Sequence, residues 1–308
     1  MVDNAHSAQR AHLTMLRLAV IERINSGHNF PVFPSTINKL NTMMQSPDCG
    51  IGEIADLIAI DPGLAGGCLR LANSAAFAGS ERIANLRIAA MRLGVREIRR
   101  MICSIVIVGS VSHMKVVKID WKKYWLHSVL TARLAERLTA AYQDVTGMEY
   151  LAGLIHDIGK LMLEHHFPRQ FESVILELNR KSDLIELEMR MLGISHAEVC
   201  ALVAERWNLD QGIVQAVRTH HIPEKATLQS LGSSPGQQIR TTCLALANRL
   251  ANQVSANCDR NEQNSEIDLA SMPEWVHLQH FSPRHELELN LDEELAKAEE
   301  TLQTLPIR

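Results

Sequence analysis

Apolar side chains recur every three to four residues along most of this chain, whereas the strict alternation that is typical of β-strands is nearly absent. Leu130, Leu134 and Leu138, for example, lie four residues apart and therefore share one face of a helix. A chain with this pattern buries its apolar surface by packing helix against helix. The pattern predicts an all-α fold.

Breaks in this pattern divide the chain into parts. The 308 residues, 46% of them hydrophobic, suffice for one large core or two modest ones. A proline-rich stretch at Phe30–Pro34 follows the first helix, and a second helical region begins near Trp121. We therefore predict two helical lobes and a variable tail. The predicted limits are an N-terminal helix at 1–27, an N-terminal helical part at 28–120, a helical bundle at 121–255, and a polar insertion followed by a C-terminal helix at 256–308.

The composition argues against several classes of protein. Lys and Arg number 31 against 35 Asp and Glu, and this formal charge of −4 disfavours general binding to nucleic acid. The six cysteines form no C-x-x-C pair, which disfavours a zinc knuckle or a disulfide scaffold and suits a reducing cytosol. The longest apolar run, Met101–Gly109, is far shorter than the about 20 residues that a membrane helix needs. We expect a cytoplasmic protein that does not bind a membrane.

Two adjacent polar residues, His156 and Asp157, interrupt an apolar helix that the pattern predicts at Glu149–His165. Imidazole nitrogen and carboxylate oxygen suit Zn, Fe or Mn as ligands, and Lys160, one turn further on, could contact a phosphate oxygen. An isolated His-Asp pair is more commonly an ordinary hydrogen-bonded pair. The metal interpretation therefore depends on whether other ligands lie nearby.

Four further histidines stand at positions from which they could join such a site. The chain has 14 histidines, more than its 6 Phe, 4 Trp and 3 Tyr together. We predict that His127 begins a helix and that His196 follows the Ser195 cap of another. His220 and His221 are predicted to end a third helix. Each side chain would then lie at the end of an element, from which it can reach a shared cavity.

In their order along the chain, these residues resemble the metal ligands of HD-superfamily phosphohydrolases, including the HD-GYP group. The upstream half narrows the resemblance to the HDOD family, the HD-related output domains. The resemblance covers about residues 15–255. The upstream motifs are Phe30-Pro31-x-x-Pro34, Ala55-Asp56-Leu57-Ile58-x-x-Asp61-Pro62-x-Leu64, Leu69-x-Leu71-Ala72-Asn73-Ser74-Ala75 and Ile88-Ala89-x-x-Arg92-Leu93-Gly94.

The resemblance implies an all-helical fold, in which an N-terminal helical subdomain packs on an HD-like bundle. It also implies a regulatory role in bacterial signalling, carried out by binding a partner protein. An implied metal centre would contain one or two ions of Fe, Mn or Zn. Its implied ligands are His127, His156, Asp157, His196, His220 and His221.

One position departs from the catalytic pattern. HD enzymes complete the site with an aspartate on a late helix, and the equivalent residue here is Asn248. Thr241, Leu244 and Ala251 share its helical face, so that a neutral amide faces the core. Asn248 is therefore either a weak ligand or a core amide that bonds a neighbour.

Three functions fit these observations. The one we favour is a non-enzymatic signalling module that binds a partner protein and has a degenerate metal site. The second is a metal-dependent phosphohydrolase that acts on a phosphodiester or a nucleotide, in which the metal activates water and Lys160 neutralises the developing charge. The third is a metal-binding regulatory domain without turnover. The sequence leaves the oligomeric state open.

Overall fold

The computed structural model describes residues 2–26, 30–45, 50–77, 79, 81–178, 183–221, 234–254 and 268–307. Within these ranges the chain is helical and has no β-strand, so the predicted all-α fold is confirmed. No helix in these ranges is long and apolar enough to cross a membrane. The part of the predicted polar insertion that extends to residue 267 lies outside the described residues. The helices are α1 (Val2–Asn25), α2 (Ser35–Gln45), α3 (Ile51–Ala59), α4 (Pro62–Ala72), α5 (Leu86–Val111), α6 (Trp121–Ala140), α7 (Met148–Ile155), α8 (Ile158–His166), α9 (Pro168–Glu177), α10 (Leu184–Leu192), α11 (His196–Arg206), α12 (Gln211–Thr219), α13 (Pro235–Val254), α14 (Pro273–Leu278) and α15 (Leu291–Leu302).

The chain forms two compact units, each made of two segments. Unit 1 comprises Met1–Phe30 and Met114–Glu288, and unit 2 comprises Pro31–His113 and Leu289–Arg308. Unit 2 therefore contains α2 to α5 together with α15, whereas the other helices belong to unit 1. All the histidines and the aspartate that the sequence predicts as metal ligands lie in unit 1.

In unit 2, α3 and α4 pack against α5 around a core of aliphatic side chains. The Asp61 carboxylate caps α4 by accepting hydrogen bonds from the backbone N–H groups of Gly63 and Leu64. At the other end of α4, the Asn73 carboxamide donates a hydrogen bond to the carbonyl of Ile83 and accepts one from its N–H, both at 2.8 Å. This exchange fixes the loop after α4, so Asn73 has a structural role in its motif.

In unit 1, α6 packs against α7 and α13 and is buried along most of its length. The helix begins at Trp121 because the Asp120 carboxylate accepts hydrogen bonds from the backbone N–H groups of Lys122 and Lys123. His127 consequently lies inside α6, in its second turn. The prediction that His127 begins a helix was wrong, and His127 is not at the end of an element.

The structure also corrects the helix that the sequence predicts at Glu149–His165. That segment forms two helices, α7 and α8, which are separated at His156 and Asp157. The capping box at Ser195 is confirmed, so that His196 is the first residue of α11.

The last turn of α8 anchors the segment that precedes α6. The Glu164 carboxylate is buried and accepts hydrogen bonds from the backbone N–H groups of Val117 and Lys118, each at 2.5 Å, and of Ile119 at 3.2 Å. His165 Nδ1 accepts another from a neighbouring backbone N–H at 3.0 Å. The helix that follows Asp157 therefore ends in close contacts with the 115–119 segment.

Candidate metal centre

The candidate ligands surround the turn between α7 and α8. His156 directly follows α7, and Asp157 directly precedes α8. Gly153 on α7 lies so close to α6 that an added Cβ would be 2.4 Å from Ala132 Cα. This close approach allows the turn to lie beside the helix that carries His127.

A second close approach brings the turn to α11. A Cβ on Gly159 would be 2.1 Å from the carbonyl oxygen of His196. The Cys200 thiol, also on α11, donates to the His156 carbonyl at 2.8 Å and accepts from the Gly159 N–H at 3.0 Å. Burial raises the pKa of this thiol well above its usual value, and the charge of Asp157 raises it further. Cys200 therefore stays protonated and holds the turn through these two hydrogen bonds.

On one side of the Asp157 carboxylate, Oδ2 faces two imidazoles. It lies 3.5 Å from His156 Nε2 and 3.7 Å from His127 Nε2. The two Nε2 atoms are 3.3 Å apart. These three ligand atoms form one compact group, which we call the His127 half.

On the other side, Oδ1 of Asp157 faces a second set of histidines. It lies 3.2 Å from His196 Nε2 and 3.9 Å from His220 Nε2. His221 Nε2 completes this group at 3.0 Å from His196 Nε2. We call these four residues the His196 half. The two halves share only Asp157.

Three imidazoles direct their Nε2 atoms into the cluster. Nδ1 of His156 and Nδ1 of His220 each lie 2.7 Å from a backbone carbonyl oxygen. Nδ1 of His196 lies 2.7 Å from the Glu188 carboxylate. Because a carbonyl or carboxylate oxygen can only accept, each contact places a proton on Nδ1. Burial lowers the pKa of His156 and of His220, so Nε2 of each has a lone pair. Nε2 of His196 offers a lone pair to a metal once its own proton is released.

This donor set fits a divalent transition metal. A tetrahedral ion at about 2.1 Å from each ligand would space the ligand atoms about 3.4 Å apart. The six distances given above run from 3.0 to 3.9 Å, and all the ligand atoms of each half lie within 4.8 Å of one another. His220 Nε2 is also buried and has no hydrogen-bond partner among the described residues. Imidazole nitrogen with carboxylate oxygen suits Zn or Fe. The prediction of a possible metal site is therefore supported, and the identity of the metal stays a prediction.

The charges around Asp157 favour its ionised form. Lys160 Nζ lies 2.9 Å from Oδ2, on the side of the His127 half. Burial alone would raise the pKa of Asp157, but electrostatic interactions with His156 and Lys160 and the contacts with His196 outweigh burial and keep that pKa well below its usual value of 3.8. Asp157 is thus available as an anionic ligand at neutral pH.

Sequence reasoning missed Glu188, a fully buried residue of α10. Its carboxylate oxygens lie 2.9 and 2.7 Å from His196 Nδ1, and one of them accepts the His196 backbone N–H at 2.7 Å. Burial lowers the pKa of His196, but Glu188 and Asp157 together more than offset it and raise the pKa to about 9. A carboxylate behind an imidazole fixes the ring orientation and increases its basicity as a metal ligand. Glu188 occupies an ordinary amphipathic helix, so its position in the sequence gave no indication of this role.

The structure brings together most, but not all, of the predicted site. Asn248 is buried on α13, and its Oδ1 accepts a hydrogen bond from Asn252 Nδ2 at 3.3 Å. Within the described part of the chain, no hydrogen bond joins Asn248 to the cluster, and its role as a weak ligand stays a prediction. The predicted phosphate contact of Lys160 also stays a prediction. The residues that converge are His127, His156, Asp157, His196, His220 and His221.

The cluster is closed on most sides. The side chains of His127, His156, Asp157 and His196 are each no more than 2% exposed. His221, which follows the end of α12, is the exposed member.

Comparison with solved structures supports the fold. An HDOD domain protein of unknown function from Geobacter sulfurreducens is 24% identical, with a TM-score of 0.68, over 86% of this chain and 88% of that chain. A candidate signal transduction protein from Marinobacter aquaeolei VT8 is 21% identical, with a TM-score of 0.66, over 97% of this chain and 65% of that chain. A candidate phosphohydrolase from Shewanella amazonensis SB2B is 20% identical, with a TM-score of 0.64, over 93% and 98% of the two chains. At these identities the likeness shows a shared fold.

Comparison at the level of sequence identifies the family. An uncharacterised protein of Treponema pallidum is 26% identical over 211 residues, which are 68% of this chain but only 40% of that protein. The chain thus spans less than half the length of this relative. The family described as the HDOD domain matches residues 30–223, which are more than half of the chain. This chain belongs to the HDOD family.

Proposed function

We propose that this chain is a regulatory module of the HDOD type that binds a divalent transition metal and acts by binding a signalling protein. One observation carries the metal part of the proposal: the Nε2 atoms of His156, His196 and His220 converge on the Asp157 carboxylate. Converging lone pairs and a carboxylate repel one another unless a cation lies between them.

The burial of the cluster supports a regulatory role more than a catalytic one. Structural metal sites are closed by protein ligands, whereas catalytic sites keep a position open for water or substrate. Here the ligands are buried except for His221. A metal in the cluster would join the turn after α7 to α11 and to the end of α12, and so would stabilise the bundle of unit 1.

Thermal unfolding with and without a chelator tests the metal part. We expect Zn²⁺ or Mn²⁺ to raise the unfolding temperature of unit 1, and EDTA to reverse the rise. His196→Ala should abolish the response, whereas His12→Ala, which changes an exposed histidine of α1 outside the cluster, should retain it. Equal responses in the two variants would contradict metal binding at the cluster.

Affinity capture from the native organism, with identification by mass spectrometry, tests the signalling part. We expect one protein to be captured reproducibly by the chain and also by a folded His156→Ala variant, because we assign partner binding to the helical surfaces rather than to the ligands. Loss of that partner in His156→Ala, with unchanged circular dichroism, would contradict the assignment.

A metal-dependent phosphohydrolase is the second candidate, and one observation favours it. The two ligand groups share Asp157, and the Lys160 ammonium lies beside the same carboxylate. Two-metal hydrolysis of a phosphodiester would use such an arrangement. Hydrolysis of bis(p-nitrophenyl) phosphate in the presence of Mn²⁺, Fe²⁺ or Zn²⁺ tests this candidate. No turnover by the metal-loaded chain, together with turnover after Asn248→Asp, would identify a site that has lost activity. Turnover by the unaltered chain would instead favour the enzyme.

A further inference from the structure

The two halves of the cluster share Asp157 but differ in the charges that surround them. We infer that the chain binds one metal ion, in the His196 half, and that the Lys160 ammonium is the cation of the His127 half. This inference rests on the proposed metal binding and specifies which of the two candidate positions is used.

Lys160 engages the carboxylate oxygen that the His127 half would need. Its Nζ lies 2.9 Å from Oδ2, closer than either imidazole of that half, since the Nε2 atoms of His156 and His127 are 3.5 and 3.7 Å away. The ammonium therefore already neutralises Oδ2. A divalent ion placed among these atoms would compete with Lys160 for the oxygen and would be repelled by its charge.

In the His196 half, the surrounding charges favour a bound cation. It offers three imidazoles, and Oδ1 of Asp157 contacts His196 at 3.2 Å. The buried Glu188 carboxylate contacts Nδ1 of His196 with both of its oxygens. This second negative charge makes the imidazole a stronger donor and partly offsets the charge of a bound cation. Among the described residues, the His127 half consists of two imidazoles and the Asp157 carboxylate.

The comparison therefore ranks the two positions. Three imidazoles, one oxygen of Asp157 and a buried anion favour a metal in the His196 half. Two imidazoles and an oxygen already paired with an ammonium disfavour one in the His127 half. A single Asp157 can serve both cations because its oxygens point to different halves.

Metal content tests this inference directly. The tag-free full chain would be equilibrated with excess Zn²⁺, passed through a desalting column, and analysed by mass spectrometry for zinc per chain. We expect one zinc in the unaltered chain and in His12→Ala, none in His196→Ala, and one in His127→Ala. Lys160→Met, which retains the length of the side chain and removes its charge, should bind a second zinc.

Several results would overturn the inference. Two zinc ions in the unaltered chain, a single zinc in Lys160→Met, or loss of zinc in His127→Ala but not in His196→Ala would each contradict it while leaving metal binding itself intact. No zinc in the unaltered chain would instead overturn the proposed function and this inference together.

A measurement on the unaltered chain covers the case in which a variant fails to fold. Titration with Co²⁺, followed by its visible absorption bands, should end at one equivalent. An end point at two equivalents would contradict the single site, whatever the variants do.

Discussion

Replacing Gly159 by Ala tests the packing that places the His156–Asp157 turn against α11. The new Cβ would lie 2.1 Å from the His196 carbonyl oxygen and 3.1 Å from the Cys200 backbone nitrogen. Both are backbone atoms, so neither can move aside without shifting α11. Overpacking of this kind costs about 1–3 kcal/mol, and we expect the upper part of that range. A loss of about 2 kcal/mol corresponds to a fall of roughly 4–8 °C in unfolding temperature for a unit of this size.

Gly109→Ala is the matched control. Gly109 also lies in a helix, but an added Cβ would have no atom within 4 Å. This change should be neutral or should stabilise the protein by up to about 1 kcal/mol, because Ala favours helix more than Gly does. Urea denaturation and thermal unfolding of both variants give the comparison. Equal stability of Gly159→Ala and the unaltered chain would refute the claim that this glycine sets the approach of α8 to α11.

Two further changes probe other parts of unit 1. Glu164→Ala should lower the free energy of unfolding by about 2–3 kcal/mol, because three backbone N–H groups lose their acceptor. Glu172→Ala, which removes a half-exposed ion pair, should lower it by less than about 1 kcal/mol. Similar losses for the two variants in urea denaturation would contradict this expectation. The second change is in pH, with EDTA present to remove metal. Burial lowers the pKa of His156 and His220, so below pH 6.5 the unfolded chain binds more protons than the folded chain. Glu188 and Asp157 raise the pKa of His196 to about 9, so above pH 6.5 the unfolded chain loses this proton before the folded chain does. The free energy of unfolding should therefore be greatest near pH 6.5 and fall on both sides, and a steady rise from pH 6.5 to 9 would contradict this reasoning.

The sequence predicts which residues are the candidate ligands better than it predicts the local structure around them. The order of His127, His156, Asp157 and His196 along the chain resembles a known motif, and the helical pattern predicts that such residues lie in one helical bundle. The pattern does not reveal the break at the His156–Asp157 turn, because apolar residues continue on both sides of it. The turn arises from close packing against α6 and α11, which the structure alone provides.

Local capping explains one error and tertiary packing explains the residues that were missed. The start of α6 is fixed by Asp120, an N-cap residue that the sequence does contain, so the prediction that His127 begins the helix could have been avoided. Glu188 and Cys200 act through contacts with residues 8 to 44 positions away in the chain. No periodicity or motif within the sequence distinguishes them from an ordinary helical Glu or a buried Cys.

X-ray absorption at the zinc edge, on the chain loaded with one equivalent of Zn²⁺, tests most directly whether the cluster is a metal centre. The proposed site predicts a shell of nitrogen and oxygen at about 2.0–2.2 Å. It also predicts imidazole scattering from the three histidines of the His196 half. The same spectrum from His196→Ala should lose that scattering. A shell of oxygen alone, a sulfur neighbour, or an unchanged spectrum in the variant would contradict metal binding at this cluster.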